Sequence, residues 1–189
     1  MASYKAPLRD IHFILAEVFK VDPLWASMPS TADASMELAD AIFEEGARIC
    51  EAELLPLNRQ GDEEGCTYLN GKVTTPSGFK AAYQTYAESG WVGLGGDPEY
   101  GGQGLPKMLT VMFEEMVYAA NTSFALYPAL TAGACLSLLA HGSEELKKTY
   151  LPAMYEGRWA GSMCLTEPHC GTDLGILSTK AVPNGAGHY

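Results

Sequence analysis

The sequence predicts a mainly α-helical domain followed by the opening strands of a β-domain. Three observations carry this. Apolar residues recur at helical spacing through most of the first 157 residues, and Pro and Gly punctuate the segments between them. At 158–165 the period changes, with Trp159, Gly161, Met163 and Leu165 alternating as in a strand. The chain divides accordingly into an N-terminal extension helix and loop over 1–34, a helical domain over 35–157, and the start of a β-domain over 158–189.

In the extension, Pro7 suits a first helical turn, and Ile11, Ile14, Leu15, Val18 and Phe19 share one face. Asp22-Pro23 is expected to end that helix, leaving 25–34 as a loop. Ser35 is the expected N-cap of a longer helix with the stripe Leu38, Ala39, Ile42, Phe43, Gly46 and Cys50. Pro56 is expected to stop it, with 58–65 a solvated loop. A brief extended piece follows at 71–74. Thr75-Pro76 then opens a helix with Phe79, Tyr83 and Tyr86 on one face and Gly90 at its end.

Residues 93–104 contain six glycines in twelve positions. The Gly-x-Gly-x-x-Gly spacing fails because position 98 is proline, and no Gly-Lys pair follows, so the stretch reads as a tight structural loop. The helix over 106–120 is the clearest of the chain: Leu109, Met112, Phe113, Met116, Val117 and Ala120 repeat at its spacing, with Asn121 as a stop. Glu114 and Glu115 point about 100° apart on it, and no His stands at ligand spacing, so they read as a solvated face. Residues 123–141 are apolar nearly all round, which predicts a central helix buried on every side. Pro128 and Gly133 interrupt it too often for a membrane span, so no membrane insertion is expected. Gly142-Ser143 opens one more helix with Glu144 and Glu145 in its first turn, and it ends near Gly157.

After the strand-like run comes a loop rich in small and polar residues, a second strand at 178–182, and a turn at 183–188. A β excursion ending with an unpaired edge predicts that the chain is a fragment of a longer protein. A formal charge of −11 disfavours nucleic acid as a partner. The N-terminus Met-Ala-Ser-Tyr-Lys-Ala-Pro has no signal-peptide h-region, so a cytoplasmic location is expected. Five cysteines at irregular spacing argue for reduced thiols rather than a disulfide framework.

The loop over 163–175 is the candidate site. Cys164, His169 and Cys170 are soft donors within seven residues, but no fourth donor completes a zinc site, and no metal is expected. A Cys-His nucleophile pair fails because neighbours in sequence rarely reach productive geometry. Glu167, beside Pro168, reads as a turn residue. On composition alone the loop is turn chemistry.

Its wording says more. Leu165-Thr-Glu-Pro-x-x-Gly-Thr-Asp173 resembles the signature Thr-Glu-Pro-x-x-Gly-Ser-Asp of the flavin-dependent acyl-CoA dehydrogenases. Tyr100-Gly-Gly-Gln-Gly104, Glu114-Glu-Met and His141-Gly-Ser-Glu-Glu-Leu-Lys-Lys-x-Tyr-Leu-Pro152 resemble further motifs of that family, in the same order. The extra N-terminal helix is most similar to a larger-subunit branch, the one that includes 3-methylmercaptopropionyl-CoA dehydrogenases.

The resemblance implies an N-terminal helical domain, a middle β-domain and a C-terminal helical domain, of which this chain holds the first and the start of the second. It implies FAD as cofactor, with Met163, Leu165 and Thr166 along the isoalloxazine and Gly171 and Thr172 at the pyrophosphate and the CoA moiety. Thr172 stands where the family usually has Ser. Phe124, Tyr127 and Pro128 fall where the acyl pocket begins. The implied reaction is α,β-dehydrogenation of an acyl-CoA to the 2-enoyl-CoA, with electrons passed to electron-transfer flavoprotein or a similar acceptor, in a homodimer or homotetramer. The family's catalytic glutamate belongs to the C-terminal domain, so no catalytic residue is assigned here and the chain alone is expected to be inactive. An acyl-CoA oxidase would share the flavin site; a non-enzymatic helical interaction module would bind no flavin.

Overall fold

The computed structural model describes residues 3–189. Helix α1 (Leu8–His12) runs on as a π-helical turn over Phe13–Val18, and α2 (Val21–Ala26) follows. Asp22-Pro23 lies in the opening turn of α2 instead of ending α1. Proline is tolerated there because first-turn N–H groups have no intrahelical acceptor. Asp22 is useful as well: its carboxylate accepts the Met36 N–H at 2.7 Å and ties α2 to the next helix. Trp25, expected in a loop, is therefore helical and buried, in one core with Ile11, Leu15 and Val21.

Ser35 caps α3 (Met36–Ile49) as expected, its hydroxyl accepting the Leu38 N–H at 3.2 Å. Pro56 does not stop this helix. The backbone widens into a π turn over Cys50–Leu54 and continues as α4 (Leu55–Glu64), so most of the expected loop at 58–65 is helical. A widened turn relieves the clash between a helical proline and the carbonyl one turn before it. Strands β1 (Thr67–Leu69) and β2 (Lys72–Thr74) form an exposed antiparallel hairpin with Tyr68 opposite Val73. Asn70 and Gly71 both take positive φ, the Asn-Gly signature of a two-residue hairpin turn.

Helix α5 (Phe79–Glu88) starts after Gly78, three residues later than Thr75-Pro76 suggests. Three helices complete the domain: α6 (Lys107–Ala120), α7 (Thr122–His141) and α8 (Glu144–Tyr155). Packing α6 on α7, α7 on α8, and α3 on α6 builds the core. Its aromatic centre includes Trp91 stacked on Phe113 at 4.3 Å and Tyr86 edge-on to Phe124 at 5.5 Å. Asn121 is more than a stop. Fully buried, it accepts the Phe124 N–H at 3.0 Å as the N-cap of α7 and donates from Nδ2 to the Leu54 carbonyl at 3.1 Å. One amide thus fixes the α6–α7 corner to the π turn between α3 and α4.

Two further expectations fail. Helix α7 is not buried on every side: Phe124, Ala125, Thr131 and Cys135 are, whereas Leu126, Leu130 and Leu136 are exposed. It is also uninterrupted, since Pro128 and Gly133 lie inside one 20-residue helix that by length and composition could cross a membrane. Its buried stripe places it in this helical domain, and the apolar remainder is a flank that the described residues leave uncovered. The second failure is the strands expected at 158–165 and 178–182, neither of which forms. Among the described residues the hairpin and one isolated bridge, Glu167 with Cys170, are the only β pairings. Alternation marks a surface suited to a sheet, but a strand needs a ladder partner, and no described segment lies alongside.

Candidate functional site

The glycine-rich loop is a packing device. Gln103, Gly104 and Leu105 donate their N–H groups to the carbonyls of Gly93, Gly96 and Leu94 at 2.9, 2.8 and 3.1 Å. A Cβ on Gly102 would lie 2.0 Å from the Gly96 carbonyl carbon, so the close backbone approach accounts for that glycine. The buried Tyr100 hydroxyl donates to Glu144 at 2.9 Å, and Lys147 holds the other carboxylate oxygen at 2.9 Å. The hydrogen bond to Glu144 pushes the Tyr100 phenol up to about 12. This contact joins the Tyr-Gly-Gly-x-Gly loop to α8.

The candidate loop leaves α8 across α7. The Gly161 N–H donates to the Thr131 hydroxyl at 3.1 Å, and a Cβ on Gly161 would sit 2.5 Å from that of Ala134. Beyond this anchor the chain turns outward, leaving Met163 69% and Leu165 42% exposed. Two backbone bonds between Glu167 and Cys170, at 3.0 and 3.1 Å, close the loop and set Thr166 and Gly171 on its two sides. Among the described residues, the N–H groups of Met163, Leu165, Thr166, Gly171 and Thr172 donate to nothing in the chain. The stretch therefore presents open donors, two exposed hydroxyls and exposed apolar side chains together.

Glu167, expected to be a plain turn residue, is the hub of this loop. One carboxylate oxygen accepts the Ser178 N–H and hydroxyl at 3.0 and 2.7 Å, and the other accepts the Thr179 N–H at 2.8 Å. Bonds from Thr179 and Ser178 hold the carboxyl down at about 2. His169 stands 3.4 Å from the same carboxylate and 3.1 Å from the Ile176 carbonyl. The donor atoms of Glu167, His169 and Cys170 lie within 4.8 Å of one another, a different trio from the one sequence spacing offers. Glu167 already accepts three hydrogen bonds, so this cluster reads as a hydrogen-bonded hub, and Cys164 stands apart from it, exposed.

Five of the expected site residues, Met163, Leu165, Thr166, Gly171 and Thr172, share this one exposed loop. The three expected in the acyl pocket share one stretch of α7 but differ in exposure. Phe124 is a core residue, completely buried among Phe79, Tyr83, Tyr86 and Tyr127. The family resemblance alone implies a pocket at this position; the side chain faces α5. Tyr127 is 43% exposed beside Tyr83. Pro128 lines a groove of about 150 Å³ between α6 and α7, with Trp91, Thr110, Phe113, Cys135 and Tyr155. Sequence reasoning misses this groove because it depends on how two helices pack. Glu167 had a signal, as one of only two carboxylates, with Asp173, in a loop of donors.

Residues 36–158 match the family model of the acyl-CoA dehydrogenase N-terminal domain. The chain belongs to the acyl-CoA dehydrogenase family. Among its relatives, 3-methylmercaptopropionyl-CoA dehydrogenase of Ruegeria pomeroyi is 38% identical over 187 residues, covering 99% of this chain and 32% of the relative. A butyryl-CoA dehydrogenase of Syntrophomonas wolfei is 34% identical over 188 residues, 96% of this chain and 30% of the relative. The crystal structure of an acyl-CoA dehydrogenase complexed with FAD from Bacillus anthracis superposes with a TM-score of 0.60 at 28% identity, covering 76% of this chain and 23% of that one. The chain thus spans about a third of the length of the curated relatives it matches. The mainly helical architecture is that of the N-terminal domain of this acyl-CoA dehydrogenase family.

Proposed function

We propose that the chain supplies the N-terminal helical domain and one wall of the cofactor site of an FAD-dependent acyl-CoA dehydrogenase. The reaction is removal of hydrogen from the α and β carbons of an acyl-CoA thioester to give the 2-enoyl-CoA. The single observation that supports this best is Gly171. Its backbone does not take the left-handed conformation, and a Cβ there would meet nothing within 4 Å. Nothing inside the chain requires glycine at that position, in contrast to Gly102 and Gly161. Glycine beside open N–H donors suits a backbone that a pyrophosphate approaches closely.

The residues of the loop fit such a group. Met163 and Leu165 offer exposed apolar surface for a flat ring system, and the Thr166 hydroxyl and N–H suit its polar edge. Gly171 and Thr172, whose N–H groups have no acceptor among the described residues, would hold the phosphates and the CoA moiety. When bound, FAD supplies the hydride acceptor that no side chain can provide. No carboxylate of this chain is assigned as the base that removes the α-proton. Helix α7 offers its uncovered apolar flank to the acyl chain and to the remainder of the enzyme. The proposal extends to an electron-transferring flavoprotein or similar acceptor, a homo-oligomer and a cytoplasmic setting.

The test is the full-length protein that carries this chain, purified and titrated with FAD. The expected result is yellow flavin absorbance and acyl-CoA-dependent reduction of an artificial acceptor without stoichiometric hydrogen peroxide. A protein that takes up no flavin and oxidises no acyl-CoA would overturn the proposal. Peroxide release in step with turnover would point to an oxidase instead.

A further inference from the structure

We infer that Glu167 is a positioning residue for the cofactor loop, a carboxylate clamp that fixes Thr166 and Gly171 by gripping the backbone at Ser178 and Thr179. The inference rests on the proposed FAD site and deepens it by naming the side chain that sets the site's shape.

The geometry is specific to a carboxylate. Both oxygens act as acceptors: one receives the Ser178 N–H and hydroxyl, the other the Thr179 N–H, all at 2.7–3.0 Å. The side chain is 13% exposed, the least exposed carboxylate among the ion pairs of the described residues, although the loop around it is open. Backbone bonds join Glu167 to Cys170 in both directions, so the residue that grips 178–179 also closes the loop that displays Thr166 and Gly171. His169 reinforces the same joint through the Ile176 carbonyl. Residues 166–172 and 176–179 are thereby welded into one unit without any regular strand. Such a unit needs an internal fastening, because no ladder holds it. Hydrogen bonds to an ionised acceptor are the strong class, and three of them converge here.

Glu167→Gln keeps the shape but offers one acceptor oxygen and turns an N–H₂ group toward a donor. In the full-length protein it is expected to weaken FAD binding by about ten-fold or more, with the fold retained, since hydrogen bonds to charged groups are individually strong. Amide hydrogen exchange at Ser178 and Thr179 should accelerate in the same variant. Ser178→Ala removes only the hydroxyl bond, and a smaller loss is expected. Because both variants act through one joint, the double variant should bind FAD no worse than Glu167→Gln alone. The inference is overturned if Glu167→Gln binds FAD as the wild type does with exchange unchanged, or if the two losses simply add. Should Glu167→Gln fail to fold, Ser178→Ala decides alone: faster Thr179 exchange and weaker FAD binding support the clamp, and wild-type values refute it. A wild-type protein that binds no FAD would sink the proposed function, and the exchange measurement would still judge the clamp.

Discussion

Replacing Phe124 by alanine separates a core role from a pocket role at this position. The ring is fully buried and has four aromatic neighbours: Tyr86 at 5.5 Å, Tyr83 at 6.3 Å, Phe79 at 6.4 Å and Tyr127 at 6.5 Å. Removing a buried phenylalanine costs about 3–5 kcal/mol, made up of lost transfer free energy and the cavity that partial collapse leaves. Four rings converging on the site limit that collapse, because aromatic side chains cannot fill a void by rotating about one bond. About 4 kcal/mol is therefore expected. For a chain of this size each kcal/mol moves the melting temperature by roughly 2–4 °C, so Phe124→Ala should melt roughly 8–16 °C lower. Thermal unfolding followed by far-ultraviolet circular dichroism reads this directly. Tyr127→Ala, at a half-exposed neighbour, should shift the transition far less. A Phe124→Ala melting point within about 2 °C of the wild type would show that the ring is not part of the core and would restore it to the acyl pocket.

Asn121→Ala should cost about 2–4 kcal/mol, the sum of a lost N-cap and a lost buried donor to Leu54. Asn121→Asp keeps the cap but sets a buried carboxylate oxygen against the Leu54 carbonyl, so urea titration should place it no more stable than alanine. The Glu167 carboxyl is held at about 2, well below the usual 4.5, so its contribution is complete above the ordinary value and disappears as pH falls through about 2. Protection of the Ser178 and Thr179 amides from exchange should accordingly persist at about pH 3.5, where an ordinary glutamate is largely protonated; loss of protection by that pH would contradict the clamp.

The helices were legible where stripe and cap agree. Ser35 and Ser143 bond the N–H groups of Leu38 and Leu146, and the stripe from Leu109 to Ala120 is buried as its spacing demands. Proline misled at Pro23, Pro56 and Pro128. Pro23 and Pro56 were legible as breaks, yet each sits in an opening helical turn, and the π turn before Pro56 leaves no mark in the residue pattern. Helix α7 shows the limit of apolarity as a guide: the residues state that water is to be excluded, not which surface excludes it. The alternation at 158–165 has the same character, since pairing is a property of two segments and the pattern describes one. In the candidate loop, the family signature marks the stretch but says nothing of the bonds that shape it. The grip of Glu167 on Ser178 spans 11 positions and follows from the path of the chain between them.

The bare flank of α7 gives the chain's acidity a colloidal meaning. Leu136 is 62% exposed and Leu126 50%, a surface to which a second molecule would adhere if the two could approach. The formal charge of −11 opposes that approach at distances of about one Debye length, roughly 10 Å at moderate salt. Dispersion of the chain is then a balance between a short-range attraction seated on one helix and a long-range repulsion spread over the whole surface. Salt weakens only the second. The same flank, where nothing covers it, is thus the seed of self-association.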